Sequence, residues 1–169
     1  MAFFKPHFIF DDVTKITPEF LADIGVGMLL LDVDNTLTMH GSQKIEPEIW
    51  LWLRIMKINK IRPVLFSNNS DKRIRPFAHS LGLEYIANAA KPLPVKLRRA
   101  MAKISADPRY TAIIGDQLFT DILCANLAHL RGILVMPIEP EVTVFFKIKR
   151  FFERHILRYH EKRNERRAG

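Results

Sequence analysis

Two carboxylates, Asp32 and Asp34, close the apolar run Met28–Leu31 in the segment MLLLDVDNTLT. An uninterrupted apolar run marks a strand buried on both faces, as in a parallel sheet, and open α/β sheets place their chemistry at the carboxyl ends of such strands. On an extended chain, residues two apart point to opposite faces. Both carboxylates reach one site only if the strand stops at Asp32 and the backbone turns. Asp32 is then free to attack, Asp34 can handle a proton, and both lie near a cation. An acidic turn after an ordinary strand is the competing explanation of this stretch taken alone.

Three further polar groups follow apolar segments: Ser67 after Val64–Phe66, Lys91 in AAKPLP, and Asp116 with Asp121 in GDQLFTD. In a doubly wound sheet these converge with Asp32 and Asp34 along one edge. Four carboxylates gathered there repel one another and need a compensating cation, and all-oxygen ligands suit Mg²⁺. Lys91 adds a second positive charge, while Ser67 and the N–H groups after it offer hydrogen bonds to an anion. Acidic nucleophile, metal, lysine and hydroxyl together describe a site for a phosphoryl group.

The elements that must position these groups alternate. Thr17-Pro18 opens a helix, and Gly25 and Gly27 bracket the entry to the first strand. A helix over 46–60 carries Ile49, Trp52, Leu53 and Met56 on one stripe. Strands are expected at 64–66, 84–87, 111–114 and 132–136, with helices over 71–81, 91–104 and 119–130 between them. The rhythm implies right-handed βαβ units and an α/β fold with a five-stranded, mostly parallel sheet. Arg73 and Arg75 stand one to two turns into the 71–81 helix, within reach of an acidic headgroup, and Asn68 either assists phosphate binding or caps that helix.

LLLDVDNTLT, VLFSNNS, the lysine of AAKPLP and IIGDQLFTD resemble, in order and spacing, the four motifs of haloacid dehalogenase (HAD) superfamily phosphatases. The resemblance covers residues 28–121 and implies a HAD-like Rossmannoid fold with helices on both faces of the sheet. It implies that Asp32 attacks phosphorus and that Asp34 first protonates the leaving alkoxide, then activates water. Ser67 and Asn68 are expected to bind phosphate and Lys91 to neutralise developing charge. Mg²⁺ is expected on Asp32, the backbone carbonyl of Asp34, and Asp116, with Asp121 supporting it through water. The links at 38–46 and between the second and third motifs are too short for a cap domain, so the open site suits a bulky substrate. DVDNTL, SNN with Arg73, AAKPL, GDQLFTD and VMPIEP are similar to the bacterial YqeG-type branch, itself similar to mitochondrial phosphatidylglycerophosphate phosphatases. That branch implies a lipid headgroup as substrate.

The 169 residues suffice for one full core. Hydrophobic content of 48% and charged content of 26% are ordinary for a soluble globular fold. A single cysteine, Cys124, fits a reducing compartment. The N-terminal stretch, interrupted by Lys5, Pro6 and His7, makes a poor secretory signal. The net charge of +8 is uneven: residues 147–169 hold nine Lys/Arg and three Glu, leaving +2 for the remainder. A catalytic domain over 1–141 and a basic amphipathic helix and tail over 142–169 are therefore expected. On a helix over 145–159, Phe145, Ile148, Phe152, Ile156 and Tyr159 oppose Lys147, Arg150, Arg154 and Arg158. Such a stripe either packs on the sheet or lies on an anionic membrane. The expected setting is the cytoplasm, at the inner face of the membrane. An anionic phospholipid substrate and the membrane surface rank ahead of nucleic acid ends, phosphoproteins, or RNA held by the basic tail.

Overall fold

The computed structural model describes residues 2–139. Its strands are β1 (Phe8–Phe10), β2 (Met28–Leu31), β3 (Arg62–Phe66), β4 (Glu84–Ile86), β5 (Thr111–Gly115) and β6 (Arg131–Val135). Its α-helices are α1 (Pro18–Asp23), α2 (Pro47–Ile58), α3 (Asp71–Leu81), α4 (Pro94–Lys103) and α5 (Leu123–Leu127). The strands form one sheet in the order β1-β6-β5-β2-β3-β4, and every pairing is parallel.

The apolar runs earn their burial from both sides. Leu29 and Leu31 of β2, with Leu65 of β3 and Ile114 of β5, pack under Trp52, Met56 and Phe77 of α2 and α3. Leu30, Val64, Phe66 and Ile113 face the other way, against Leu97, Met101 and Cys124. Alternate residues of one strand thus serve two layers, which is why no polar residue interrupts it. Thr17 caps α1 by accepting the Phe20 N–H at 3.2 Å, and Gly82 ends α3 with φ at +58°. Trp52 Nε1 donates to the Ile16 carbonyl at 2.8 Å, tying α2 to the segment before α1.

The sheet has six strands, not the five expected. The additional strand, β1, pairs with β6 and occupies one edge. Phe8 and Phe10 pack edge-to-face on Phe20, with each ring pair 5.0 Å between centroids, while Ile9 is exposed. Those phenylalanines of the N-terminal cluster are packed side chains of a half-buried edge strand.

The second difference lies after β5. The helix expected from Phe119 opens as a wide turn over Leu118–Ile122, with Ile122 N–H reaching the Gln117 carbonyl, before α5 begins. Wide turns of this kind recur at functional sites. Residues 32–46 link β2 to α2 and residues 87–93 link β4 to α4, so neither link holds a cap domain. Among the described residues, no helix is long and apolar enough to cross a membrane. The 141/142 boundary and the amphipathic helix over 145–159 lie outside the described residues.

Leu30 is fully buried at the centre of the sheet. Leu30→Ala is expected to lower the unfolding free energy by about 3 kcal/mol, read from a lower urea midpoint at unchanged slope.

Candidate active site

The centre is assembled at the carboxyl edge by the ends of four adjacent strands. β2 stops as required: Asp32 N–H still pairs with the Ile114 carbonyl at 2.9 Å, then the chain turns. The N–H groups of Leu37 and Thr38 fold back to the Val33 carbonyl, and Asn35 N–H donates to the Thr38 carbonyl. Asn35 sits at φ +61°, a conformation that asparagine tolerates better than most residues. This turn places Asp34 beside, rather than behind, Asp32.

The β3 end supplies Ser67, whose Oγ accepts the Asn69 N–H at 3.1 Å. The hydroxyl proton remains available to an incoming acceptor. The β4–α4 link supplies Lys91, and Asn68 holds it by the backbone. Asn68 Oδ1 accepts from Lys91 N–H at 2.7 Å, and its Nδ2 donates to the Lys91 carbonyl at 3.2 Å. The asparagine side chain expected to bind phosphate or cap α3 holds both backbone groups of Lys91.

Lys91 is buried, with its Nζ 2.5 Å from Asp32 Oδ1 and 2.7 Å from Asp121 Oδ1. The Phe66 ring lies 5.2 Å from the same ammonium. Burial alone would lower the Lys91 pKa, but Asp121 and Asp32 outweigh it and hold it above its ordinary value. Burial dominates at Asp32 and pushes its carboxyl up to about 7, against the pull of Lys91.

Asp116 follows β5 and is buried. Asp32, Asp116 and Asp121 each offer a carboxylate oxygen, and these oxygens lie within 4.8 Å of one another. An all-oxygen, anionic donor set of this kind fits a small hard divalent cation. Asp121, expected to support the cation through water, also pairs directly with Lys91 at 2.7 Å. Gly115 makes its position possible. A Cβ on Gly115 would sit 2.3 Å from Asp121 Cγ, so only glycine lets the wide turn bring that carboxylate against the strand end.

The Asp34 side chain stands apart from the three. Its Oδ1 accepts from Gly41 N–H at 2.9 Å and from Arg73 Nη2 at 2.6 Å, and its Oδ2 accepts from Asn69 Nδ2 at 2.5 Å. His40 Nδ1 is 3.8 Å from Oδ1. Arg73, read from sequence as reaching for a headgroup, is paired with Asp34, and Arg75 is engaged by Asp71 and the Tyr85 hydroxyl. Sequence reasoning did not single out Asn69 or Gly41. A charge three residues beyond SNNS, on the helix that SNNS opens, was the available signal for the pairing of Arg73.

Strand order, an uncapped carboxyl edge and a lysine set among carboxylates define a HAD-like hydrolase. A family model described as HAD-hydrolase-like matches residues 88–137. The chain is 32% identical over 155 residues to the probable phosphatase YqeG of Bacillus subtilis (strain 168), spanning 92% of this chain and 90% of that protein. The chain belongs to the HAD superfamily, in the family of YqeG. The fold is shared with a crystal structure of an uncharacterized protein from Listeria monocytogenes serotype 4b, at a TM-score of 0.57 and 14% identity over 70% of this chain and 86% of that one. It is also shared with a 4-nitrophenylphosphatase from Thermotoga maritima, at a TM-score of 0.52 and 13% identity over 72% and 89% of the two chains.

Two outcomes follow from this geometry. Gly115→Ala displaces Asp121 and is expected to weaken divalent-metal binding at least about tenfold by isothermal titration. Asp32, protonated below about pH 7 in the metal-free protein, must lose that proton to bind a cation. Metal affinity is therefore expected to fall about tenfold per pH unit below 7 and to level off above it, with proton uptake by the buffer as the second readout.

Proposed function

We propose that this enzyme hydrolyses phosphate monoesters through an aspartyl-phosphate on Asp32, with Mg²⁺ as its cofactor. The observation that carries the reading is the buried contact of Lys91 with Asp32 at the end of β2, inside a three-carboxylate cluster. Asp32 and Asp116 would hold Mg²⁺ with the Asp34 backbone carbonyl, and Asp121 would support it. When bound, the ion supplies charge neutralisation at the phosphoryl oxygens.

The remaining steps belong to the chain. An Asp32 carboxylate oxygen attacks phosphorus while the bond from phosphorus to the leaving alkoxide breaks. Asp34 delivers its proton to that alkoxide. Arg73, Asn69 and the Gly41 N–H fix the direction of the Asp34 carboxyl. Ser67, its oxygen engaged by Asn69 N–H, turns its hydroxyl proton to a phosphoryl oxygen. Lys91 offsets charge on the equatorial oxygens. Water then attacks the aspartyl-phosphate as Asp34 takes its proton, releasing phosphate and restoring Asp32.

For the substrate we favour phosphatidylglycerophosphate, with phosphatidylglycerol as product. The 32% identity with the probable phosphatase YqeG supports the phosphatase chemistry, and the uncapped site supports a phosphate presented on a large partner. Mixed micelles of phosphatidylglycerophosphate, a 5′-phosphorylated oligonucleotide and a phosphopeptide are the comparison to make. The lipid is expected to be hydrolysed fastest. Asp32→Asn is expected to lose at least about a thousandfold in rate, and EDTA to stop turnover until Mg²⁺ is restored. Retained turnover by Asp32→Asn refutes the mechanism, and preference for the oligonucleotide or the peptide refutes the substrate.

A further inference from the structure

From Tyr85 to Ala106 the chain has no acidic residue and five cations: Lys91, Lys96, Arg98, Arg99 and Lys103. Lys91 is neutralised inside the site, and Arg98 donates to the Leu127 carbonyl. Lys96, Arg99 and Lys103 line one open cleft of about 510 Å³ between α4 and β4; Lys96 Nζ donates to the Asn88 carbonyl at 3.0 Å, and none of the three forms an ion pair among the described residues. The acid in that cleft, Asp71, is already bound by Arg75 and the Tyr85 hydroxyl. Just ahead of the cations, two and four residues after Lys91, Leu93 is 62% exposed and Val95 56% exposed. Exposed apolar side chains directly ahead in sequence of cations that form no ion pair are arranged as in elements that settle into the headgroup boundary of a membrane.

We infer that the lead-in and first turns of α4 dock this enzyme on an anionic bilayer. Leu93 and Val95 enter the interface, while Lys96 and Arg99 meet lipid phosphates one turn behind. The inference rests on the lipid-substrate reading above and adds the surface that reads the lipid. Charge complementarity alone would also suit nucleic acid. Two exposed aliphatic side chains in front of the cations favour the bilayer, and the cleft has one aromatic, Tyr85, where single-stranded nucleic acid is met by several stacking rings.

The test is co-sedimentation of the full chain with phosphatidylcholine vesicles, with and without phosphatidylglycerol. The wild type is expected to bind only the anionic vesicles. Leu93→Ser with Val95→Ser, and Lys96→Gln with Arg99→Gln, are each expected to reduce partitioning at least about tenfold. A second measurement covers misfolding of either pair. Cys124 is buried, so an environment-sensitive dye on Leu93→Cys reports position 93, and its emission should rise on anionic vesicles. Wild-type partitioning by both double variants overturns the inference and puts membrane binding elsewhere in the chain. So does an unchanged dye, or preferential binding of the 5′-phosphorylated oligonucleotide. Hydrolysis of soluble phenyl phosphate by the wild type reports the chemistry separately. Turnover without vesicle binding refutes the docking surface alone.

Discussion

The buried ammonium of Lys91 is the group that the rest of the site cannot do without. Three carboxylates, Asp32, Asp116 and Asp121, share one pocket of low solvent access. Removing a carboxylate from water is costly unless an opposite charge comes with it, and mutual repulsion adds to the cost. Lys91 touches two of the three. It answers part of the charge, and the remaining negative charge makes the pocket receptive to a divalent ion. Much of the surrounding structure serves this balance. Asn68 holds the lysine by its own N–H and carbonyl, and Phe66 walls the ammonium from below. Gly115 and the wide turn after it admit Asp121 from the far side.

The two aspartates of DVD show how environment divides identical residues. Asp32 lies within the carboxylate cluster, and burial lifts its pKa. Asp34, two residues on, points to an arginine, an amide and a backbone N–H outside that cluster. A nucleophile must be stripped of solvent yet aligned, whereas a group that passes a proton must be aimed at the leaving atom and water. Separate surroundings meet the two demands without a change of residue type.

Much of this was readable from residue order because parallel sheets force it. An apolar run that stops at a polar residue can stop only at the sheet edge, so Asp32, Ser67 and Asp116 were placed by their strands alone, and Lys91 by the link that follows β4. What escaped depended on side-chain direction rather than strand ends. Asn68 and Asn69 are adjacent amides, and the turn decides that one grips Lys91 while the other grips Asp34. Arg73 is one of several cations on α3, and its pairing needs the helix axis to be known. β1 is three residues long and half-exposed, and its pairing with β6 joins the two ends of the described chain, a contact that local pattern does not encode.

An uncapped site has a consequence for selection. Closing a site expels bulk water and strengthens the electrostatics inside it, and a cap domain would do this by folding over the phosphoryl group. The links at 32–46 and 87–93 are too short to provide one. On the substrate proposed above, shielding would come from the body that carries the phosphate, and discrimination from the surface flanking the site. On the α4 side that surface is cationic, its one acid, Asp71, is held by Arg75 and the Tyr85 hydroxyl, and exposed aliphatic side chains precede the cations. A small free metabolite would leave such a surface unused, whereas a phosphate carried on an extended anionic body would engage it and cover the site at once.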